Sequence, residues 1–135
     1  MSTFQLKILT PDGLFFDGEV QRVVVRTTTG DVAVLKNHID YLAPLGVGEM
    51  RLLMADGVKR SVACAGGFVR VTKSDTRILA TTCEWSDEID VERAKRALEK
   101  AERRLRNRVN ADETKLAEFK MKRALNRIRI AEKNI

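Results

Sequence analysis

The sequence predicts an α+β protein in which a β-sandwich or barrel is followed by an antiparallel two-helix hairpin. Two compositional observations support this prediction. All eight glycines lie at or before Gly67 and both prolines lie at or before Pro44, so the later part of the chain contains neither helix breaker. Charged residues occupy 26 of the last 52 positions but only 18 of the first 83. We therefore predict two domains, residues 1–84 and residues 85–135.

The first domain is predicted to contain many short strands. Residues 4–8 alternate between apolar and polar side chains, which is typical of a half-buried strand. The three successive valines within residues 20–26 indicate a strand buried on both faces. Further strands are predicted at residues 32–35, 48–54, 58–65, 68–71 and 77–82. Turn signals separate these segments: Pro11-Asp12-Gly13, Thr29-Gly30-Asp31, Ala55-Asp56-Gly57 and Lys73-Ser74-Asp75.

Gly66 and Gly67 interrupt the apolar pattern inside this strand-rich domain. The segment after the pair is predicted to be another strand and not a helix, which disfavours a phosphate-binding loop. The pair instead indicates a bulge or a close approach of two backbones. We predict that the next residue, Phe68, lies in the core, where Phe68→Ala would cost about 3–5 kcal/mol of folding free energy.

The second domain is predicted to be a helix pair because apolar residues recur every three or four positions. The first predicted seam is Val91, Ala94, Leu98, Ala101 and Leu105. The second is Ala117, Met121, Ala124, Ile128, Ala131 and Ile135. Between them, Asn110 can take the left-handed conformation that ends the first helix, and Asn110 or Asp112 can cap the second. Because alanine is frequent in both seams, the hairpin is expected to bury little area and to be marginally stable.

Residues suited to enzyme chemistry are scarce. His38 is the only histidine, and Cys64 and Cys83 are the only cysteines, so a zinc site of the usual ligand number would need carboxylates. Glycine-rich nucleotide loops and serine-nucleophile motifs are absent. We therefore predict a protein that is not an enzyme. The cysteines are interpreted as reduced thiols of a soluble cytoplasmic protein, since neither a secretory signal nor an apolar run of ~20 residues is recognised.

Residues 93–108 form a strongly basic segment with eight basic and two acidic side chains. Three interpretations remain open for it: a solvated helix face, a nucleic-acid surface and a site for a phosphorylated ligand. Residues 91–111 contain no aromatic side chain on which bases would stack, which disfavours nucleic acid.

Several arginines are candidates for a phosphate site. Arg93 follows the acidic residues Glu84 and Asp90 at the junction of the two domains, and Arg123 and Arg127 lie four residues apart on one helix face. Guanidinium groups bind phosphate oxygens in pairs, so convergence of these arginines would form a polyphosphate site. Salt bridges within the hairpin are the alternative that the spacing allows equally well.

Five segments, in order along the chain, resemble a known family. They are Thr10-Pro11-Asp12-Gly13, Gly30–Leu35 followed by His38, Ala65-Gly66-Gly67-Phe68, Ile89-Asp90-Val91-Glu92-Arg93-Ala94 and Lys122-Arg123-Ala124-Leu125-Asn126-Arg127. Through them the chain resembles, essentially from end to end, the epsilon subunit of bacterial rotary ATP synthase. Residues 89–94 match the family's nucleotide-binding pattern, Ile/Leu-Asp-x-x-Arg-Ala, in full.

This resemblance implies a fold and a role. The fold is a flattened antiparallel β-sandwich of about ten strands followed by a helical hairpin. The role is that of a non-catalytic rotor subunit that couples proton flow to ATP synthesis, peripheral to the cytoplasmic face of the bacterial membrane. The implied partners are the gamma subunit, the c subunits of the rotor ring and the alpha/beta hexamer, which an extended hairpin would inhibit. An apolar patch is then expected on one sheet face or edge, where gamma would cover it.

The resemblance also implies a regulatory ATP that needs neither magnesium nor a resident cofactor. Its implied binding residues are Glu84, Ile89, Asp90, Arg93, Ala94, Arg123 and Arg127. Rotor-ring contact is implied for Gly30, Asp31 and His38. The sequence departs from the family near this histidine, since Lys36-Asn37 and Asp40 stand where Pro-Gly and Pro are usual.

A second function is consistent with the residues alone. It is a free-standing β-sandwich adaptor whose basic hairpin binds nucleic acid or another anionic partner. Co-purification with a coiled-coil gamma subunit would favour the rotor subunit, whereas salt-sensitive binding to RNA or DNA would favour the adaptor.

Overall fold

The protein was analysed as a computed structural model that describes residues 2–107 and 110–133. The chain forms two compact units that divide after Trp85, one residue beyond the predicted boundary. The strands of the first unit are β1 (Phe4–Thr10), β2 (Gly13–Thr27), β3 (Gly30–Leu35), β4 (Tyr41–Pro44), β5 (Val47–Met54), β6 (Lys59–Val71) and β7 (Thr76–Trp85). The second unit contains a 3-10 turn and two helices: Ser86–Glu88, α1 (Val91–Arg106) and α2 (Ala111–Lys133).

The strands of the first unit form one sheet that closes on itself. Its order is β1-β7-β6-β5-β2-β3, β1 also pairs with β2, and β4 pairs with β6. The pairing of β1 with β7 is parallel, and the other strand pairs are antiparallel. The closed sheet surrounds one apolar core, whose largest fully buried side chains include Leu6, Ile8, Met50, Leu52 and Ile78.

The sandwich prediction is confirmed, with seven strands rather than about ten among the described residues. The two longest strands account for the lower count because each pairs with different neighbours along its length. β2 pairs with β1 through residues 13–20 and with β3 and β5 mainly through later residues. β6 pairs with β5 through residues 59–65 and with β4 through residues 68–71.

The glycine pair in β6 changes which side chains enter the core. Gly66 and Gly67 have positive φ angles of +72° and +99°. Before the pair, the even-numbered residues Val62 and Cys64 belong to the core cluster. After the pair, the odd-numbered residues Val69 and Val71 belong to it. Because successive side chains of a strand point to opposite faces, this change turns Phe68 outward. The prediction that Phe68 lies in the core is therefore wrong, and the side chain is 53% exposed.

The close backbone approach predicted at this pair is confirmed. A side chain on Gly67 would meet the carbonyl oxygen of Leu79 on β7, and its Cβ would lie 2.8 Å from the Cα of Ala80. A Cβ on Gly66 would lie 2.8 Å from Oγ1 of Thr81. The two strands therefore pack too closely here for any larger residue.

β2 is less buried than its run of valines predicted. Val23 and Val25 lie in the core, whereas Val24 between them is partly exposed. The strand is therefore buried mainly on one face, as expected for a strand in the wall of a single closed sheet.

Hydrogen bonds at the helix ends show whether Asn110 ends α1 or caps α2. Its Oδ1 accepts a hydrogen bond from the backbone N–H of Glu113 at 2.9 Å, so Asn110 caps α2. α1 instead ends at Asn107, whose φ of −106° is not left-handed. The prediction that a left-handed Asn110 ends α1 is wrong. Arg108, the last residue of the basic segment, lies outside the described residues.

The helical seams are largely as predicted. In α1, Ala94 and Ala101 are buried and Val91, Leu98 and Leu105 are partly buried. In α2 the buried residues are Ala117, Ala124, Asn126, Ile130 and Ala131, whereas Met121 and Ile128 are only partly buried. Ile135 lies outside the described residues. Five of the seven buried residues in the described parts of the two helices are thus alanines. The buried amide of Asn126 accepts a hydrogen bond from Arg129 Nη2 at 3.1 Å.

Candidate functional site

The start of α1 carries the segment that matches the nucleotide-binding pattern. Asp90 is the N-cap of the helix, and its Oδ1 accepts a hydrogen bond from the backbone N–H of Arg93 at 3.1 Å. The backbone N–H of Ala94 donates to the carbonyl oxygen of Asp90 at 3.0 Å, and Ala94 is fully buried. Ile89 is partly buried and the Arg93 side chain is exposed. Capping therefore fixes the backbone of this segment and leaves the guanidinium of Arg93 facing water.

The hairpin places the candidate arginines at a similar level. Arg93 on α1 and Arg123 on α2 lie about equally far from the short connection between the helices, so equal rise per residue puts them level with each other. Arg127 lies one turn farther along α2. Arg123 and Arg127 are partly buried, and the guanidinium carbon of Arg123 lies 5.9 Å from the ring centre of Phe119. The three arginine positions thus lie within about one turn of each other along the hairpin.

The salt-bridge alternative is not supported for two of these arginines. Within residues 2–107 and 110–133, no ion pair involves the side chain of Arg93 or Arg123. Both side chains therefore keep their donors available to an anion.

Glu84, the remaining predicted ATP residue, belongs to the first unit. It lies near the end of β7, opposite Ala63 of β6, and is partly buried. The next residue, Trp85, is the centre of an aromatic cluster that sequence reasoning missed. Its ring stacks on Phe15 at 4.8 Å between ring centres, and the Arg60 guanidinium carbon lies 3.6 Å above it. The cluster fixes the strand end from which the chain leaves the sandwich.

The residues predicted to contact the rotor ring do not lie together. Gly30 and Asp31 begin β3, whereas His38 follows its end. His38 Nδ1 lies 2.7 Å from the carbonyl oxygen of Ile39, and its ring packs edge-on against Tyr41. A six-residue strand spans roughly 17 Å, so a single contact would have to extend along the whole of β3.

Asp31 is held by two arginines on the sheet surface. Arg26 Nε lies 2.6 Å from its Oδ1, and Arg51 Nη2 lies 3.7 Å from its Oδ2. The hydrogen bond from Arg26 is the main cause that lowers the pKa of Asp31 below its ordinary value. The carboxylate is therefore ionised and fixed in orientation at neutral pH.

An exposed row of apolar side chains crosses the sheet. Phe68 is opposite Pro44 and Leu79, Leu79 is opposite Leu9, and Leu9 is opposite Leu14. We call these five residues the apolar row. Phe68, Leu79 and Leu14 are 53%, 50% and 59% exposed, so the row lies on the outer face. The expectation of an apolar patch on one sheet face is thus confirmed, and its central residue is the phenylalanine that had been predicted to be buried.

The described residues offer neither a metal site nor a membrane-spanning helix. In the described parts of the chain, no group of three or more His, Cys, Asp or Glu side chains is placed to hold a metal ion. No helix in those parts is long and apolar enough to cross a membrane.

Comparison with known proteins decides the family. A family model described as ATP synthase, Delta/Epsilon chain, beta-sandwich domain matches residues 3–86. A second, described as ATP synthase, Delta/Epsilon chain, long alpha-helix domain, matches residues 87–132. The chain belongs to the ATP synthase delta/epsilon chain family.

Relatives within this family align with the chain over nearly their full length. The ATP synthase epsilon chain of Ruminococcus albus is 42% identical over 98% of this chain and 99% of its own. That of Bacillus pumilus is 42% identical over 98% of this chain and 100% of its own. These matches confirm the prediction of an ATP synthase epsilon subunit with a role in ATP synthesis and ion transport. They favour it over the alternative of a free-standing adaptor.

Solved structures support the fold. A chain of the Euglena gracilis mitochondrial ATP synthase, in a structure of OSCP/F1/c-ring, has a TM-score of 0.77 and 22% identity and covers 90% of this chain and 77% of its own. A chain from the central stalk/c-ring of the Tetrahymena thermophila enzyme has a TM-score of 0.71 and 13% identity, and covers 95% of this chain and 96% of its own. At these identities the likeness shows a shared fold.

Proposed function

We propose that this epsilon subunit is a non-catalytic, ATP-responsive regulator on the central stalk, at the cytoplasmic face of the bacterial membrane. The observation that carries the regulatory part is a set of three arginines within about one turn of the hairpin, two of which form no ion pair within the described residues. Unpaired guanidinium groups in a marginally stable hairpin suit a ligand with several phosphates.

The sandwich is proposed to bind the gamma subunit through the apolar row. Five apolar residues on five strands form a continuous strip, and covering them would remove exposed Phe and Leu side chains from water. A shallow groove of about 470 Å³ along part of the strip, lined by Leu9, Pro11, Phe68 and Leu79 among others, would receive side chains of the partner. The strip therefore has the composition of the buried centre of an interface.

Contact with the c subunits of the rotor ring is proposed for the two ends of β3. At one end Gly30 and Asp31 present a fixed carboxylate, and at the other the loop of His38 exposes Ile39 and Leu35. Structures with this fold include central-stalk and c-ring assemblies of other organisms, which is the reason to assign this partner.

ATP is proposed to bind the hairpin unit without magnesium. Arg93, Arg123 and Arg127 would hold the phosphates, and the backbone at Ile89 and Asp90 would receive the adenine edge. The fixed N-cap at Asp90 keeps that backbone in place, and the small buried Ala94 maintains the packing of the helices beneath it. Glu84 is assigned to the adenosine moiety by resemblance to the family.

The alanine-rich seams supply the physical basis for a switch. A helix pair that buries mostly alanine gains little free energy from packing, so a folded and an extended hairpin differ little in free energy. ATP that binds only one state would favour it by about 2.7 kcal/mol at a hundredfold excess over Kd. Low ATP would then release the hairpin to extend towards the alpha/beta hexamer and inhibit ATP hydrolysis.

Calorimetry on the full chain tests the ATP site. Arg93→Ala, Arg123→Ala and Arg127→Ala should each weaken ATP binding by about 1.5–3 kcal/mol, or roughly 10- to 150-fold. Arg104→Ala is the matched control, because Arg104 is an exposed arginine near the other end of α1. Binding to the wild type should persist in a magnesium chelator. Absence of binding at millimolar ATP, or equal affinity in all four variants, would remove the ATP site and leave the family assignment intact.

A further inference from the structure

Two cysteines far apart in the sequence are neighbours in the sheet. Cys64 of β6 and Cys83 of β7 are directly opposite each other in the antiparallel register. Both are free thiols, and their sulfur atoms lie 3.9 Å apart, with Cys83 donating a hydrogen bond to Cys64. Nothing in the proposed binding of gamma, the rotor ring or ATP uses this pair.

The backbone around the pair already has a geometry compatible with a disulfide. Opposed residues of antiparallel strands have Cα atoms about 4.5–5.5 Å apart, which lies within the range of about 4.4–6.8 Å seen for disulfides. Side-chain rotation can therefore bring the two sulfur atoms together while the strands stay paired.

The two thiols differ in access to solvent. Cys64 is 6% exposed and belongs to the core, whereas Cys83 is only partly buried at the core's edge. A soluble reagent therefore meets Cys83 first, and Cys64 is placed to react with the product. The difference assigns an order to the two positions: Cys83 is the attacking thiol and Cys64 the resolving thiol.

We propose that Cys64 and Cys83 form a redox-active dithiol site that low-molecular-weight disulfides oxidise to a cross-strand disulfide. The Cys83 thiolate attacks one sulfur of the reagent, forms a mixed disulfide and releases one thiolate. The Cys64 thiolate then attacks Cys83 Sγ and releases the second. The two cysteines lose two protons and two electrons, and the reagent gains them as two free thiols.

The surroundings of Cys83 make the first step slow. The hydrogen bond to Cys64, followed by burial, raises the pKa of the Cys83 thiol above its ordinary value, so little thiolate is present at neutral pH. The site therefore responds to sustained oxidation rather than to brief exposure. The cross-link would fix β6 to β7 close to Trp85, the last residue of the sandwich unit.

The test uses the reduced full-length chain with an excess of oxidised glutathione, followed by acid quenching, denaturation and intact mass measurement. We expect a monomer that has lost two hydrogen atoms. Its proteolytic digest should contain the peptides of Cys64 and Cys83 joined by a disulfide, and dithiothreitol should restore the mass of the reduced chain. In Cys64→Ala the glutathionyl adduct should accumulate on Cys83. In Cys83→Ala the buried Cys64 should stay unmodified. Thermal melts of both variants establish that they are folded.

Three results would overturn the proposal. They are a stable glutathionyl adduct on the wild-type chain, a disulfide-linked dimer in place of the internal bond, and modification of Cys64 in folded Cys83→Ala at the wild-type rate. If neither variant folds, the wild-type result still decides, because the mass and the linked peptides distinguish an internal disulfide from an adduct or a dimer.

Discussion

The glycine at position 67 offers the sharpest test of how this sandwich is built. Its φ of +99° is costly for any residue with a side chain, by roughly 1–3 kcal/mol. A Cβ there would also collide with the Leu79 carbonyl and the Ala80 Cα, which are backbone atoms that cannot rotate away. Overpacking of this kind costs about a further 1–3 kcal/mol. We therefore expect Gly67→Ala to lose roughly 2–6 kcal/mol, a large part of the total stability of a small domain.

A matched control separates the two contributions. Gly57 has a similar φ of +89°, but a Cβ there would meet nothing within 4 Å. Gly57→Ala should therefore lose only the conformational part, roughly 1–3 kcal/mol. The two variants differ in the collision alone, so the gap between their unfolding free energies measures the backbone contact between β6 and β7.

Urea unfolding provides the measurement. Trp85 is the only tryptophan and stacks on Phe15 inside the first unit, so its fluorescence reports the unfolding of the sandwich. The denaturant slope should stay constant while the midpoint falls. If the two alanine variants lose the same free energy within about 0.5 kcal/mol, the close approach at Gly67 does not exist and the explanation for the outward side chain of Phe68 fails.

Three further predictions follow from other features. Phe68→Ser should weaken gamma binding at least tenfold at little cost in folding stability. The control Val58→Ser, at a position that is also 53% exposed, should change neither property. Pull-down titration measures the binding, and urea melts measure the stability. Asp31→Asn should reduce stability by up to about 1 kcal/mol at pH 7, because Arg26 lowers the folded-state pKa of Asp31. That stabilisation is complete above the unfolded-state pKa of about 3.9 and is lost as pH falls through the lower folded-state pKa, so the two acid unfolding curves should converge there. Asn110→Ala should lower helix stability by about 1 kcal/mol in circular dichroism melts, and an unchanged melt would exclude its role as the cap of α2.

The local patterns in the sequence were sufficient for the elements themselves. Helical spacing predicted the seam from Ala94 to Ala101, and the Asp-Gly turn at residues 56–57 predicted the hairpin between β5 and β6. These features depend on residues within one or two turns of each other, so a single segment contains the whole signal. The spacing of the arginines on α2 could be predicted for the same reason. Whether Arg93 and Arg123 form ion pairs could not, because that depends on residues distant in the sequence.

What the sequence determined by itself is the order of the units, the two helices, most strand positions and the family segments, because each is set by neighbours along the chain. The tertiary structure decided the rest. Only the positive φ angles of Gly66 and Gly67 turn Phe68 outward and complete the apolar row. Only the pairing of β6 with β7 brings Cys64 to Cys83, nineteen positions away. Strand register and side-chain facing depend on contacts between distant segments, and a shift of one residue reverses every side chain of a strand.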